Sequence, residues 1–312
     1  MQQPPKVIKD ESGIPLTADA VAIYLTHLEP VGNGNEFAFT ELNMHSLKLE
    51  DISIIKNYAN LRHINFSDNR ITDISPLSDT SLTNILTLDL SKNKITTLEP
   101  LTKRTFPFLQ LLIVSENRIK QIPQGAFAHP FLKWLNLDGN EIADLGEAIA
   151  DPEIPIQFLE LRSNKLKDCY GLNQNVSELD LAGNLIENIR GLSICANLTR
   201  LDLSYNKIKT IEEIKQTICY RYTIKGLKYI HLSMELKYLV TRGNPFEEEV
   251  GGAETARTEI LIRLPALKKL NGKRVTDEEL RAAAEVQEQR DEEEKQKMLA
   301  GTQGSEEAEE ED

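Results

Sequence analysis

An α/β solenoid is the fold class that the sequence predicts, on three observations. One phrase recurs along most of the chain, most cleanly at Leu198 to Ile208 as L-T-R-L-D-L-S-Y-N-K-I. Its copies return at nearly constant intervals, and one copy is too short to bury its own apolar face, so copies must stack. Aromatic residues make up only 6% of the 312 residues, which leaves leucine and isoleucine to fill the layers between copies.

The spacing inside the phrase has a physical reading. Leu201 and Leu203 are two apart, so both point inward from a short strand while Asp202 between them points out. The chain then turns, and the Asn206 amide can bond backbone groups that the turn leaves unpaired, at about 1 kcal/mol per bond. The pattern L-x-x-L-x-L-x-x-N-x-I is the leucine-rich-repeat template.

The elements follow in order. Residues 1–16 read as a flexible N-terminal arm, polar and proline-bearing. Thr17 then stands as an N-cap, and Val21, Leu25 and Leu28 fall at helical spacing with Tyr24 on the same side, so 17–38 is expected to form a helical N-terminal cap. Gly32-Asn33-Gly34 follows at the helix end, where positive φ is tolerated. A phosphate-loop reading of these glycines fails, because no strand precedes them and no Lys-Ser/Thr follows.

Residues 39–246 carry about nine repeats, a horseshoe indexed by the residue in the Asn slot. The first copy is degenerate, with Leu47 in the slot and Phe39, Leu42, Met44, Leu49 and Ile52 around it. The rest form a structural asparagine ladder: Asn69, Asn93, Asn117, Asn140, Asn164, Asn184, Asn206 and Asn244, at intervals of 22, 24, 24, 23, 24, 20, 22 and 38 residues. Apolar residues recur five and eight after the slot, as in Ile74 and Leu77, which predicts a short helix or 3₁₀ turn on the convex side. The 38-residue interval contains two similar starts, L-K-Y-I-H-L at Leu227 and L-K-Y-L at Leu236. Either 217–234 is an insertion looping from the convex side, the preferred reading, or one start forms a partial strand and the register slips.

A C-terminal cap is expected over 247–275, with a helix ending near Leu264 and then Leu267 and Leu270 closing the open end of the core. Thr276 and Glu279 make a capping box that opens a charged helix over 276–299. It has no apolar heptad and so is no self-sufficient coiled coil. Residues 300–312 are low-complexity, acidic and expected to be disordered.

Of the net charge of −13, the stretch from Asp277 to Asp312 holds −11, from fifteen acidic and four basic residues. A nearly neutral body with a polyanionic tail argues against a nucleic-acid partner, which requires concentrated Lys and Arg. No stretch approaches the ~20 apolar residues of a membrane helix, and the N-terminus does not read as a signal peptide, so no membrane partner is expected. Cys169, Cys195 and Cys219 are odd in number and unclustered, and read as reduced thiols of an intracellular protein.

No catalytic constellation stands out. His27, His45, His63, His129 and His231 are scattered, make no metal-binding spacing, and read as ordinary surface or edge histidines; Cys169 falls on a core position. No enzyme activity, cofactor, metal or small-molecule substrate is expected. The strand residues two, four and six before each slot face outward on the concave side. There Leu111, Ile113, Trp134 and Phe158 fall on three adjacent repeats as an apolar patch, and Glu160, Glu178, Asp180 and Asp202 form an acidic stripe beside it. Such a patch marks an interaction site, for a partner bringing an apolar anchor flanked by Lys or Arg. The alternative is that Trp134 and Phe158 pack on each other, or are covered by the chain's own tail or insertion.

The roughly 22-residue intervals resemble the protein-phosphatase-regulator class of leucine-rich repeats. A narrower resemblance lies in L-T-A-D-A-V (Leu16 to Val21), the G-N-G at Gly32, and L-E-D-I-S-I-I-K-N-Y-A-N-L-R-H-I-N-F-S-D-N-R-I-T-D-I-S-P-L (Leu49 to Leu77). With G-N-P-F at Gly243, L-P-A-L-K-K-L at Leu264 and the Glu-rich end, these stretches are similar to the radial-spoke leucine-rich repeat proteins of motile cilia and flagella, over residues 16 to about 298. The resemblance implies a non-enzymatic scaffold of the axoneme in the cytoskeleton, partnered by other radial-spoke or axonemal proteins and supporting ciliary and flagellar motility. The 217–234 segment departs from the family's pattern. The other reading is a regulatory subunit that binds a protein phosphatase, or another intracellular enzyme, through its concave face.

Overall fold

The computed structural model describes residues 21–78, 82–211, 221–222, 230–231 and 236–309, with side chains as far as Lys297. The arm expected at 1–16 and the N-cap Thr17 lie outside the described residues, as do most of 217–234, Cys219 and residues 310–312.

One sheet runs through the described residues. Its strands are β1 Leu25–Val31, β2 Glu36–Asn43, β3 His63–Asn65, β4 Thr87–Asp89, β5 Leu111–Ile113, β6 Trp134–Asn136, β7 Phe158–Glu160, β8 Glu178–Asp180 and β9 Arg200–Asp202. A separate two-stranded piece, β10 Arg221–Tyr222 with β11 Ile230–His231, stands apart from it. The sheet continues with β12 Tyr238–Val240, β13 Lys269–Leu270 and β14 Lys273–Arg274. From β2 to β9 and on to β12 every neighbouring pair is parallel and in register, Trp134 opposite Phe158 and Phe158 opposite Glu178, for example. Each repeat strand begins six residues before its slot, so slot position and strand position are one measurement.

The strands are only three residues long because their middle side chain is all that must turn inward. Ile64, Leu88, Leu112, Leu135, Leu159, Leu179, Leu201 and Leu239 are each at most 2% exposed. What holds one layer to the next is the asparagine ladder. Asn93 accepts from the Ile71 N–H of the preceding repeat at 3.0 Å and donates to Phe66 O at 2.9 Å and to Leu90 O and Ser91 O at 3.0 Å. Asn244 repeats the pattern across the long interval, accepting from Ile208 N–H at 3.2 Å and donating to Leu203 O at 2.8 Å.

Two further local devices recur. The residue before each slot takes a left-handed conformation in all nine copies, from Ser46 (φ 58) and Asp68 (φ 55) to Tyr205 (φ 55) and Gly243 (φ 76). That reversal aims its N–H at the next repeat, as in Lys92 N–H to Ser115 O at 2.9 Å. On the convex side the residue four after the slot caps a turn: Asp51 accepts from Ser53 N–H at 2.8 Å and Asp73 from Ser75 N–H at 2.7 Å. The turns so opened are 3₁₀ at Ser53–Asn57, Ser75–Leu77 and Arg190–Ile194, and a single helical turn α1 at Glu99–Thr102.

The N-terminal cap differs from the expected helix. Only Val21 and Ala22 are described as helical; from Leu25 the chain forms the antiparallel hairpin β1–β2, and Gly32 to Asn35 is its loop, closed by Gly34 N–H to Val31 O at 3.0 Å. The reason is Pro30, which cannot sit inside a helix, together with glycines at φ 59 and 83 that suit a tight hairpin. Leu28, expected to cover the first repeat, is 58% exposed.

The long interval resolves on described residues. Tyr238 pairs directly with Arg200, so the strand of the last repeat is the one begun at Leu236, and of the described residues between β9 and β12, Arg221–Tyr222 and Ile230–His231 pair with each other and not with the main sheet.

At the far end, α2 Phe246–Glu249 and α3 Ala253–Arg263 bring Phe246, Ile260 and Leu261 onto the last layer, with Leu267 and Leu270 beneath the two-residue strand β13. Helix α4 runs Asp277–Glu309, ten residues past the expected end at 299 and through most of the stretch read as disordered. No proline interrupts 300–309, and its Ala and Glu residues are good helix formers, while Gly301 and Gly304 each cost the helix about 1 kcal/mol. Its first turn is the capping box: Thr276 N–H donates to Glu279 at 2.9 Å and Glu279 N–H to Thr276 Oγ1 at 3.2 Å. Arg257 of α3 grips the same Glu279 with two bonds of 2.8 and 3.0 Å, and these bonds hold the Glu279 carboxyl down at about 2. Further along, Arg290 reaches back to Glu259, which also takes Arg263 at 2.6 Å.

Candidate functional site

The concave surface is the outward side of the parallel strands, and register decides which side chains meet there. Leu111 stands opposite Trp134 and Trp134 opposite Phe158, with Ile113, Asn136 and Glu160 in the parallel row. The four apolar residues of the sequence reading are therefore lateral neighbours. They divide between two depressions. Leu111 and Ile113 border a polar groove of about 460 Å³ with His63, Thr87 and Asp89, while Trp134 and Phe158 open a groove of about 600 Å³ that continues to Tyr238 and Val240.

Trp134 and Phe158 stack, ring centroids 5.2 Å apart at 29° between planes, yet Trp134 remains 43% exposed. Its indole Nε1–H donates to Glu160 Oε1 at 3.0 Å, and the Asn136 amide donates to the other carboxylate oxygen. The aromatic pair is thus fixed at the indole edge, each ring covering one side of the other, and Trp134 keeps part of its surface open.

The acidic stripe is revised. Asp180 and Asp202 each accept from the backbone N–H two residues on, at 3.0 and 2.9 Å, as Asn65, Asp89 and Asn136 do in their own repeats. These carboxylates recur because the turn after the strand needs a short acceptor. Arg162 then neutralises them, 2.6 Å from Asp180 and 4.0 Å from Asp202, and Arg200 lies 3.4 Å from Glu178. Among the described residues Glu160 has only the neutral donors of Trp134 and Asn136, and burial followed by the Asp180 charge lifts its carboxyl above the usual range. Asp138, two residues before its slot and so also outward-facing, joins these carboxylates, and is pushed up to about 6 by burial and then by the charges of Glu160 and Asp180.

The histidines need one correction. His129 is 1% exposed, its ring edge-on to Phe106 at 5.4 Å, and burial lowers its pKa to about 4. It is a core residue, and its Nδ1 accepts from Phe106 N–H of the preceding repeat at 3.4 Å. Cys169 and Cys195 are free and buried, and burial pushes the first thiol well up and the second to about 12. Among the described residues no cluster of three or more His, Cys, Asp or Glu gathers to hold a metal, and no helix is long and apolar enough to cross a membrane.

Comparison with known proteins agrees with this architecture. A family model for leucine-rich repeats in two copies matches residues 59–103 and 174–216. An internalin from Listeria monocytogenes superposes with a TM-score of 0.54 at 24% identity, covering 76% of this chain and 69% of that one, a likeness of fold. The chain is 31% identical over 299 residues to human leucine-rich repeat-containing protein 23, covering 90% of this chain and 82% of the relative. It is 35% identical over 297 residues to the protein of that name from Xenopus tropicalis, covering 90% and 80%. A repeat solenoid that assembles binding grooves, with this degree of identity across nine-tenths of its length, belongs to the leucine-rich repeat-containing protein 23 family and is a scaffold for protein interaction.

Proposed function

We propose that this protein is a non-enzymatic structural component of the axonemal radial spoke, supporting the motility of cilia and flagella. The observation that carries the reading is the 31% and 35% identity to leucine-rich repeat-containing protein 23 of two vertebrates over 90% of the chain. The likeness of the Leu16 to Val21, Leu49 to Leu77 and cap stretches to radial-spoke repeat proteins supports the finer assignment. Its partners are other spoke or axonemal proteins, met on the concave surface around Trp134 and Phe158.

A tagged copy in ciliated cells tests this. Signal along the axoneme that survives detergent extraction is expected; a diffuse or nuclear signal overturns the proposal, and phosphatase activity that co-purifies with the chain favours a regulatory subunit instead. For the surface, Trp134→Ala with Phe158→Ala is expected to abolish capture of the axonemal partner while leaving the thermal melt nearly unchanged. Undiminished capture removes the concave patch from the account.

A further inference from the structure

Inside the larger groove the chain already contains one complete example of a recognition contact. The Arg200 guanidinium lies 5.0 Å from the centroid of the Tyr238 ring while its Nε is 3.4 Å from Glu178. An aromatic face, a carboxylate beside it and a cation over both make a closed set. Two strands away the first two parts recur without the third. Trp134 and Phe158 form a stacked pair with part of the indole open and Glu160 at its edge, and among the described residues no lysine or arginine pairs with Glu160 or lies over either ring. Arg162, on the same repeat as Glu160, is engaged by Asp180 at 2.6 Å.

We infer that this groove takes an extended polypeptide segment from a partner, one whose arginine or lysine packs on the open side of the Trp134–Phe158 pair and bonds Glu160. The inference rests on the reading of the concave surface as the binding face and supplies its chemistry. It also changes the expected anchor: two rings stacked on each other close the space between them to an apolar side chain and leave only their outer sides to cover. A guanidinium is the best match, because it is planar enough to stack and its N–H groups reach a carboxylate in the same plane. Each Glu160 oxygen uses one lone pair on Trp134 or Asn136 and keeps another for an incoming donor.

The local electrostatics agree. Asp138, Glu160, Glu178, Asp180 and Asp202 are five carboxylates on this part of the surface against the three cations Arg162, Arg200 and Lys269, and burial holds the carboxyls of Glu160 and Asp138 above their usual range. The groove spans five strands, β6 to β9 and β12. At ~4.8 Å between strands that is about 19 Å, the reach of about six extended residues.

Panning a phage-displayed random dodecapeptide library on the purified full chain, with the Trp134→Ala Phe158→Ala variant as counter-target, tests the inference. Winners are expected to carry an excess of arginine or lysine, and to quench the fluorescence of Trp134, the chain's only tryptophan, saturably. Glu160→Gln, which keeps the shape and removes the charge, is expected to weaken a winning peptide by roughly tenfold. Absence of enrichment over the counter-target, winners without excess basic residues, or a Glu160→Gln affinity equal to the parent's each overturn it. The assay uses the chain alone, so its failure with an axonemal tag signal intact removes only the groove chemistry and leaves the spoke reading standing.

Discussion

Replacing Asn93 by alanine removes one rung of the ladder, and the cost follows from the bonds. Asn93 is 7% exposed and closes four bonds within 3.0 Å, to Ile71 N–H, Phe66 O, Leu90 O and Ser91 O. Without the side chain the buried Ile71 N–H has no acceptor, at about 1–3 kcal/mol, and the carbonyls, which keep a second lone pair, add less. The expected loss is about 3–4 kcal/mol in urea unfolding followed by circular dichroism. Asn93→Asp separates bonding from packing, since it fills the same space and keeps the acceptor but turns an anion towards three carbonyls. It is expected to be at least as damaging as alanine at neutral pH. Hydrogen exchange at the Ile71 amide locates the effect, because a repeat array opens locally. If Asn93→Ala costs less than about 1 kcal/mol, the ladder does not bind the layers and the reasoning is wrong.

Other outcomes follow from the same structure. His129 is neutral when folded: its pKa falls from 6.5 to about 4, so stability is fully present above pH 6.5 and is lost as pH falls towards 4. The loss is about 2 kcal/mol at pH 5 and about 3 kcal/mol at completion. Asp138 acts in the opposite sense over the same window, so the quantity to measure is the difference in unfolding free energy between the parent and His129→Gln at pH 8 and pH 5; parallel curves exclude a buried neutral histidine. Gly183 and Gly243 both hold left-handed turns, at φ 68 and 76, but a Cβ on Gly243 meets the Tyr205 ring at 2.6 Å whereas one on Gly183 meets nothing closer than 3.5 Å. Alanine is expected to cost about 1 kcal/mol at Gly183 and about twice that at Gly243, read as two unequal drops in melting temperature; equal drops contradict the steric argument.

Much of the fold was legible because a repeat measures itself. Counting six residues back from each slot locates every strand from His63 to Tyr238, and the same count identifies Trp134 and Phe158 as neighbours on one face. The N-terminal cap was misread because Val21, Leu25 and Leu28 happen to fit a helical period, while Pro30 and the G-N-G loop carried the stronger hairpin signal. The acidic stripe was legible as residues but not as chemistry. Arg162 lies two residues before its slot, at an outward-facing position, but spacing alone does not say which way a long side chain turns, and the structure brings it onto Asp180 and Asp202. His129 is hidden for a similar reason: it belongs to the irregular back half of a repeat, where no fixed spacing separates buried from exposed. The residue before each slot did carry a signal, glycine in three of nine copies, but six non-glycine residues in the same conformation masked it.

The proposed place of this protein in the radial spoke is tested most directly by cryo-electron tomography of axonemes from cells lacking the chain, averaged over the spokes and compared after rescue. Loss of density from a spoke, restored by the wild-type chain and not by Trp134→Ala Phe158→Ala, is the predicted result. Spokes that are complete in the absence of the chain would contradict it.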